Sequence, residues 1–133
     1  MELISTHFVK PQDIGYHGNL FGGVMLAWLA EAAAAFAAQV ADTPRMVTKH
    51  IAGLTFQRPA RPGQIIKIYG EVEKVGKTSL TLNMEARRHS VYNGTQRSVV
   101  HTQMTFVRID GDGEAIPISE KVRQKHRSKE DFS

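Results

Sequence analysis

The chain contains no cysteine. That absence excludes a disulfide scaffold, a thiolate metal site and a cysteine nucleophile together. Other chemistry-bearing patterns are missing too. There is no G-x-S-x-G segment to seat a nucleophilic serine. The glycine-rich stretch GNLFGG lacks the Lys and Ser/Thr of a phosphate loop. His7, His17, His50, His89, His101 and His126 show no metal-ligand spacing with a second histidine or a carboxylate on one helix face. No metal and no other cofactor is therefore expected. The opening MELISTHFVKPQ alternates in character and has no apolar run, so no secretory signal is expected and a cytoplasmic protein is. Between Gly22 and Ala41 the only ionisable residue is Glu31. Internal repeats are absent.

What remains is the composition of a globular chain, 133 residues long, which fits one domain with a sizeable core. The net charge of +4 is unevenly spread, with much of it in KVRQKHRSK at 121–129. The expected division is one domain over 1–120 and a basic C-terminal tail over 121–133. Such a tail is either a solvated terminus or a contact for nucleic acid, phosphorylated ligands or acidic membrane. The aromatics do not interleave with Lys and Arg as stacking platforms require, so no nucleic-acid partner is expected. The apolar stretch at 20–41 has the length of a membrane span. Its Ala and Gly content, with a Glu inside, inserts poorly, so a buried helix and no membrane partner are expected.

Residues 2–9 predict a first strand, and Pro11 to Asn19 a loop rich in turn formers. The helix from Gly22 to Ala41 stops before Asp42-Thr-Pro44. The period then changes to two. Strands are predicted over 46–57, where Gly53 suggests a bulge, and over 64–73, 78–89 and 96–108, with Asn93-Gly94 as a hairpin turn. The fold class is α+β: one long central helix wrapped by a curved antiparallel sheet of about five strands. A wrapping sheet predicts that the helix, apolar nearly all round, meets little water.

At ~100° per residue, Gly23, Ala27, Ala30 and Ala34 share one helix face, all of them small. Met25, Leu29, Ala32 and Phe36 lie on the other, with the bulk to fill a core. A small-residue stripe admits either tight helix–sheet packing or a close-approaching ligand or backbone. Gly22-Gly23 at the helix start leaves amide N–H groups attractive to negative charge. Such a terminus holds an anionic ligand or stabilises an oxyanion in acyl transfer. Asn19 adds a side-chain amide to the same place, or is a plain turn residue.

Four stretches then carry a resemblance: GNLFGGVMLAWLAEAA, VTKHIAGLTFQRPARPGQ, EVEKVGKTSLTL and a long strand ending TFVRID. In order and spacing, over about residues 3 to 118, they resemble the hotdog-fold acyl-CoA thioesterases of the cytosolic acyl-CoA hydrolase branch. The resemblance implies a dimer of hotdog subunits with active sites at the subunit interface, commonly assembled as a trimer of dimers. It implies hydrolysis of fatty acyl-CoA to free acid and CoA without a metal. The Gly23 amide would polarise the thioester carbonyl, Asn19 would orient water or carbonyl, and a helix carboxylate would activate water or attack. For CoA it points to His17, Gly22, Arg58, Arg61 and Lys74, and above all to the turn Gly76, Lys77, Thr78 and Ser79. Arg123, Lys125 and Arg127 of the tail could reach a phosphate in a neighbouring subunit.

One position departs from the family pattern. The seventh residue after Gly-Gly, usually acidic, is Ala30, and only the eighth, Glu31, carries a carboxylate. Alanine neither relays a proton nor attacks a carbonyl. Three explanations follow: an engineered replacement of Asp that disables the enzyme, a variant in which Glu31 takes over, or a non-catalytic acyl-CoA-binding or CoA-binding hotdog module. A hotdog dehydratase would need a His and a carboxylate paired across the site, a role that His17 and Glu31 fit awkwardly.

Overall fold

The period-two stretches form a six-stranded antiparallel sheet in the computed structural model, which describes residues 1–127. The strands are β1 (Glu2–Phe8), β2 (Met46–Ile51), β3 (Thr55–Phe56), β4 (Ile65–Val75), β5 (Ser79–His89) and β6 (Gln96–Arg108). They lie in the order β1-β4-β5-β6-β2, with β3 also paired to β6. Helix α1 (Gly22–Ala41) falls between β1 and β2, and α2 (Glu120–Lys125) closes the described chain.

Register explains which residues become core. Side chains alternate across a strand and paired residues share a face. The pairs Leu80/Phe106, Leu82/Met104, Met84/Thr102 and Ala86/Val100 therefore point together, and all eight residues are buried. Residues Ile66, Ile68 and Val72 of β4 extend that face. The other face is polar: Thr81 bonds Thr105 at 3.1 Å, Gln103 donates to Asn83 at 3.0 Å, and Asn83 donates to Glu73 at 2.6 Å. Helix α1 lays Met25, Leu29, Ala32, Ala33, Phe36 and Ala37 into the core. Gly70 lets it come close. A Cβ there would sit 2.9 Å from Met84 Sδ and 3.1 Å from Phe36 Cδ2, tighter than packed cores accommodate. The helix ends at Asp42, which turns left-handed (φ 56°) and donates its N–H to Ala38 O.

Three expectations are revised. The strand over 46–57 is two strands, broken at 52–54. The buried Thr102 hydroxyl donates to Ala52 O at 2.9 Å, taking an acceptor that the ladder would otherwise use. The helix also meets more water than a wrapping sheet suggests. Gly23, Ala27, Ala34 and Ala35 are exposed and Ala30 is half-buried, because the sheet covers only the bulky face. Residues 120–125, finally, are helical. Ser119 caps that helix by accepting from Val122 N at 3.3 Å, and Val122, 2% exposed, joins the core. The remainder of the tail, 128–133, lies outside the described residues.

Candidate active site

The loop before α1 is tied down by its own backbone. Gly18 adopts φ +84°, a conformation open mainly to glycine. Gly15 N–H donates to Asn19 O (2.9 Å), and Phe21 N–H donates to Asp13 O (2.9 Å). Leu20 N–H reaches across to Ala60 O at 2.7 Å, hooking the loop to the segment that follows β3. The chain then enters α1 with Phe21 as N-cap, a residue with no side-chain acceptor to offer. Val24 and Met25 both return their N–H groups to Phe21 O, at 3.0 and 3.1 Å. Among the described residues, the amides of Gly22 and Gly23 have no hydrogen-bond partner. Two donors at the positive end of a 20-residue helix are thus left open.

Beside them lies a cavity of ≈ 300 Å³, lined by His17, Asn19, Gly22, Met25, Phe56 and Arg58 among others. His17 Nδ1 accepts from Asn19 N at 3.2 Å, which places its proton, when neutral, on Nε2. Asn19 is half-buried, and its side-chain amide has no partner among the described residues. Arg58 donates to Ser98 O at 2.9 Å and is held by β6. Phe56 is 46% exposed, and its ring edge lies 3.7 Å from where a Gly22 Cβ would be, an ordinary packing distance that sets the ring against the helix start. Met25 reads from the sequence as core filler and Phe56 as an ordinary strand residue; an apolar side chain left exposed on a two-residue strand is visible only once the loop and strand are seen together.

The other candidate residues are distributed differently. Gly23 lies on the open side of α1 under the Phe21 ring, where a Cβ would approach Phe21 Cε2 to 2.8 Å. Ala30 sits two turns further along, near the same direction. Glu31 is on the flank of α1 facing β1, exposed, lining a recess of ≈ 180 Å³ with Ser5, His7, Trp28 and Ala35. The turn Gly76, Lys77, Thr78 and Ser79 is well built: Gly76 N–H donates to Ser79 O at 2.8 Å, while Lys77 O and Thr78 O accept from Ile118 and Arg108. It lies at the opposite end of the sheet from the cavity. Ser79 pairs with Val107 and Phe56 with Val100, a separation along β6 of about 23 Å at ~3.3 Å per residue. One chain does not bring this turn to the cavity. Arg123 is engaged within its own chain, donating to Ile118 O at 3.1 Å. No group of three or more His, Asp or Glu among the described residues is placed to hold a metal ion.

The β1 flank has its own electrostatics. His7 stacks on Trp28 at 4.5 Å and 9°, with Nε2 3.1 Å from Ser5 Oγ. Burial lowers the His7 pKa, opposed by the Glu31 carboxylate, with smaller effects from Lys10 and Asp13. A depressed histidine pKa means that the unfolded chain binds the proton first as pH falls. The stability contribution is therefore complete above about pH 6.5 and is lost as pH drops through the lower folded value. The expected result is a melting temperature that falls on acidification below about pH 6.5, with a shallower fall in His7→Gln; parallel profiles of the two proteins would remove His7 as a cause.

Known proteins resemble this chain in both sequence and fold. The thioesterase superfamily profile matches residues 17–94, which include the site loop, α1 and the 76–79 turn. The acyl-CoA thioester hydrolase YciA of Salmonella typhimurium is 28% identical over 120 residues, 88% of this chain and 90% of the relative. An uncharacterized acyl-CoA thioester hydrolase of Zymomonas mobilis is 31% identical over 102 residues, 77% of this chain and 68% of the relative. Among solved structures, a hexameric hotdog-fold thioesterase of Campylobacter jejuni superposes with a TM-score of 0.86 at 29% identity, covering 96% of this chain and 97% of the other. A hexameric broad-specificity acyl-coenzyme A thioesterase, solved as an Asp-to-Ala mutant, also gives 0.86, at 26% identity over 96% and 93% of the two chains. The fold is therefore the hotdog fold, and the chain belongs to the thioesterase superfamily.

Proposed function

We propose that the protein hydrolyses the thioester of fatty acyl-CoA to free acid and CoA, as a soluble cytoplasmic homo-oligomer that uses no cofactor. The observation that carries this reading is the pair of unpartnered amides of Gly22 and Gly23 beside a cavity that holds Asn19. A thioester carbonyl accepting from Gly23 N–H gains negative charge as water adds, and the helix dipole stabilises it there. Asn19 orients the water or the carbonyl. His17, Gly22 and Arg58 line the path, and the CoA portion runs past the Gly76, Lys77, Thr78 and Ser79 turn.

That path needs a second copy. Gly23 and residue 30 are seven residues apart, about 10 Å along the helix. A carbonyl held ~3 Å from the Gly23 amide is out of reach of its own residue 30. Residue 30 of a second copy, its helix antiparallel, supplies the missing approach. Two surfaces suit such a pairing. The small-residue face of α1 is open, and β2 is an edge strand with Val47 and Ile51 exposed and, among the described residues, one side unpaired. A two-fold axis there also brings the partner's end of the sheet, with its 76–79 turn, towards the cavity. We read the assembly as a dimer of hotdog subunits and a trimer of dimers.

With Ala30 in place the site polarises and positions but has no general base. Slow hydrolysis is the expected activity. A non-catalytic acyl-CoA-binding module is the second reading, and the same Ala30 favours it. The deciding experiment is release of free CoA thiol from acyl-CoAs of increasing chain length, beside calorimetric binding of CoA. Turnover above the buffer blank supports hydrolysis; CoA binding with thiol release at the blank rate transfers the assignment to the binding module.

A further inference from the structure

Arg88 of β5 and Arg97 of β6 are directly opposed in the antiparallel ladder. Like charges in that position repel and weaken a hairpin. No carboxylate offsets them: among the described residues neither arginine makes an ion pair. Among the described residues each guanidinium makes one bond, to a backbone carbonyl. Arg88 donates to Pro59 O at 2.8 Å and Arg97 to Gln96 O at 2.9 Å. A guanidinium has five donors, so most remain available on both. Together they line a polar recess of ≈ 220 Å³ with Gln64, Ser90 and Thr95.

Three features identify what this recess takes. Two fork-shaped cations match the several oxygens of a phosphate better than a single carboxylate would. The Ser90 hydroxyl, which accepts from Tyr92 N at 3.3 Å and keeps its own proton free, adds a neutral donor to the same wall, whereas the Thr95 hydroxyl spends its proton on Asn93 Oδ1 at 2.7 Å. The position matters as well, because Pro59, whose carbonyl Arg88 holds, lines the active-site cavity next to Arg58. A ligand with its reacting end beside Gly22 would have a phosphate-bearing end within reach of the hairpin.

From this unpaired cross-strand cation pair we infer a phosphate-binding subsite at Arg88 and Arg97 that takes an organic phosphate, the nucleotide phosphates of acyl-CoA. The assignment of CoA as the source rests on the proposed function; the phosphate chemistry rests on the recess alone. The anion neutralises the cross-strand repulsion and anchors the nucleotide, while the thioester reaches the glycine amides.

The test is calorimetric titration of the full chain with CoA, with 3′-dephospho-CoA and with ATP, for the native protein, Arg97→Gln and Arg88→Gln/Arg97→Gln. Arg97 is exposed and its bond stays within its own hairpin, so the single variant keeps the fold if the loss of Arg88's tie to Pro59 does not. The expected result is about a tenfold weaker CoA affinity for Arg97→Gln, equivalent to ~1.4 kcal/mol, and a shallower salt dependence. Hydrolysis of an acyl-pantetheine, which has no nucleotide, stays at the native rate. A smaller Arg97→Gln effect on 3′-dephospho-CoA than on CoA assigns the 3′-phosphate; an equal effect assigns the diphosphate. If the native chain binds ATP but not CoA, and Arg97→Gln loses ATP, the subsite stands with a free nucleotide as its source, and the acyl-CoA reading fails separately. Unchanged affinity for all three ligands in both variants overturns the subsite.

Discussion

Replacing Ala30 by aspartate is expected to raise kcat for acyl-CoA hydrolysis by about 10²- to 10⁴-fold, the usual contribution of a positioned general base. KM should change little, since the binding surfaces are untouched. The substitution is sterically mild: Ala30 is half-buried on the small-residue face of α1, with Ala27 and Ala34 exposed on either side. Aspartate is a weaker helix former than alanine, by about 0.7 kcal/mol at most, which a 20-residue helix packed on a sheet tolerates. The neighbouring carboxylate does not stand in for the missing one. Glu31 is turned ~100° away, on the β1 flank with His7 and Trp28. Glu31→Gln should accordingly leave the rate within about twofold, far short of the effect of a general base. Steady-state thiol release from the three proteins decides this. Equal rates for the native chain and Ala30→Asp would locate the chemistry elsewhere, and a collapse in Glu31→Gln would place it at Glu31.

Phe106→Ala is expected to be the most damaging change to the fold, at about 3–5 kcal/mol. Phe106 is 1% exposed and faces Leu80 across the ladder, on the buried face of the sheet. Removing the ring leaves a cavity that paired strands on both sides of β6 prevent from collapsing. Urea denaturation at one fixed protein concentration should show a lower midpoint with an unchanged slope. Phe56→Ala, half-exposed at the site, should shift stability by only about 0.5 kcal/mol. Similar losses for the two would mean that burial does not rank the aromatics of this chain.

The architecture was legible because it is written in short-range patterns. The alternation at 78–89 and 96–108 gives the core strands, and α1 runs over the predicted residues, with the bulky and small faces where helical geometry puts them. What escaped the sequence depends on contacts distant along the chain. The break at 52–54 comes from Thr102, about fifty residues later, competing for a carbonyl. The helical start of the tail comes from Val122 finding space in the core. The site was legible in part. His17, Asn19, Gly22 and Arg58 line one cavity, whereas the 76–79 turn is held at the far end of the sheet. Sequence proximity to a motif does not say which copy of the chain a residue serves. The Arg88–Arg97 opposition was equally invisible, because it needs the hairpin register, and that register contains a bulge between Ala86 and Arg87.

The central claim is that the thioester sits at the Gly22-Gly23 helix start, in a site completed by a second copy. A crystal structure with a non-hydrolysable thioether analogue of acyl-CoA tests it most directly. The account predicts the carbonyl of the analogue within hydrogen-bonding distance of Gly23 N, its sulfur beside Asn19 and Phe56, and the 76–79 turn of a second copy against the CoA chain. An analogue lodged instead on the outer sheet face, in the recess lined by Glu71, Asn83 and His101, or bound wholly within one chain, would contradict it.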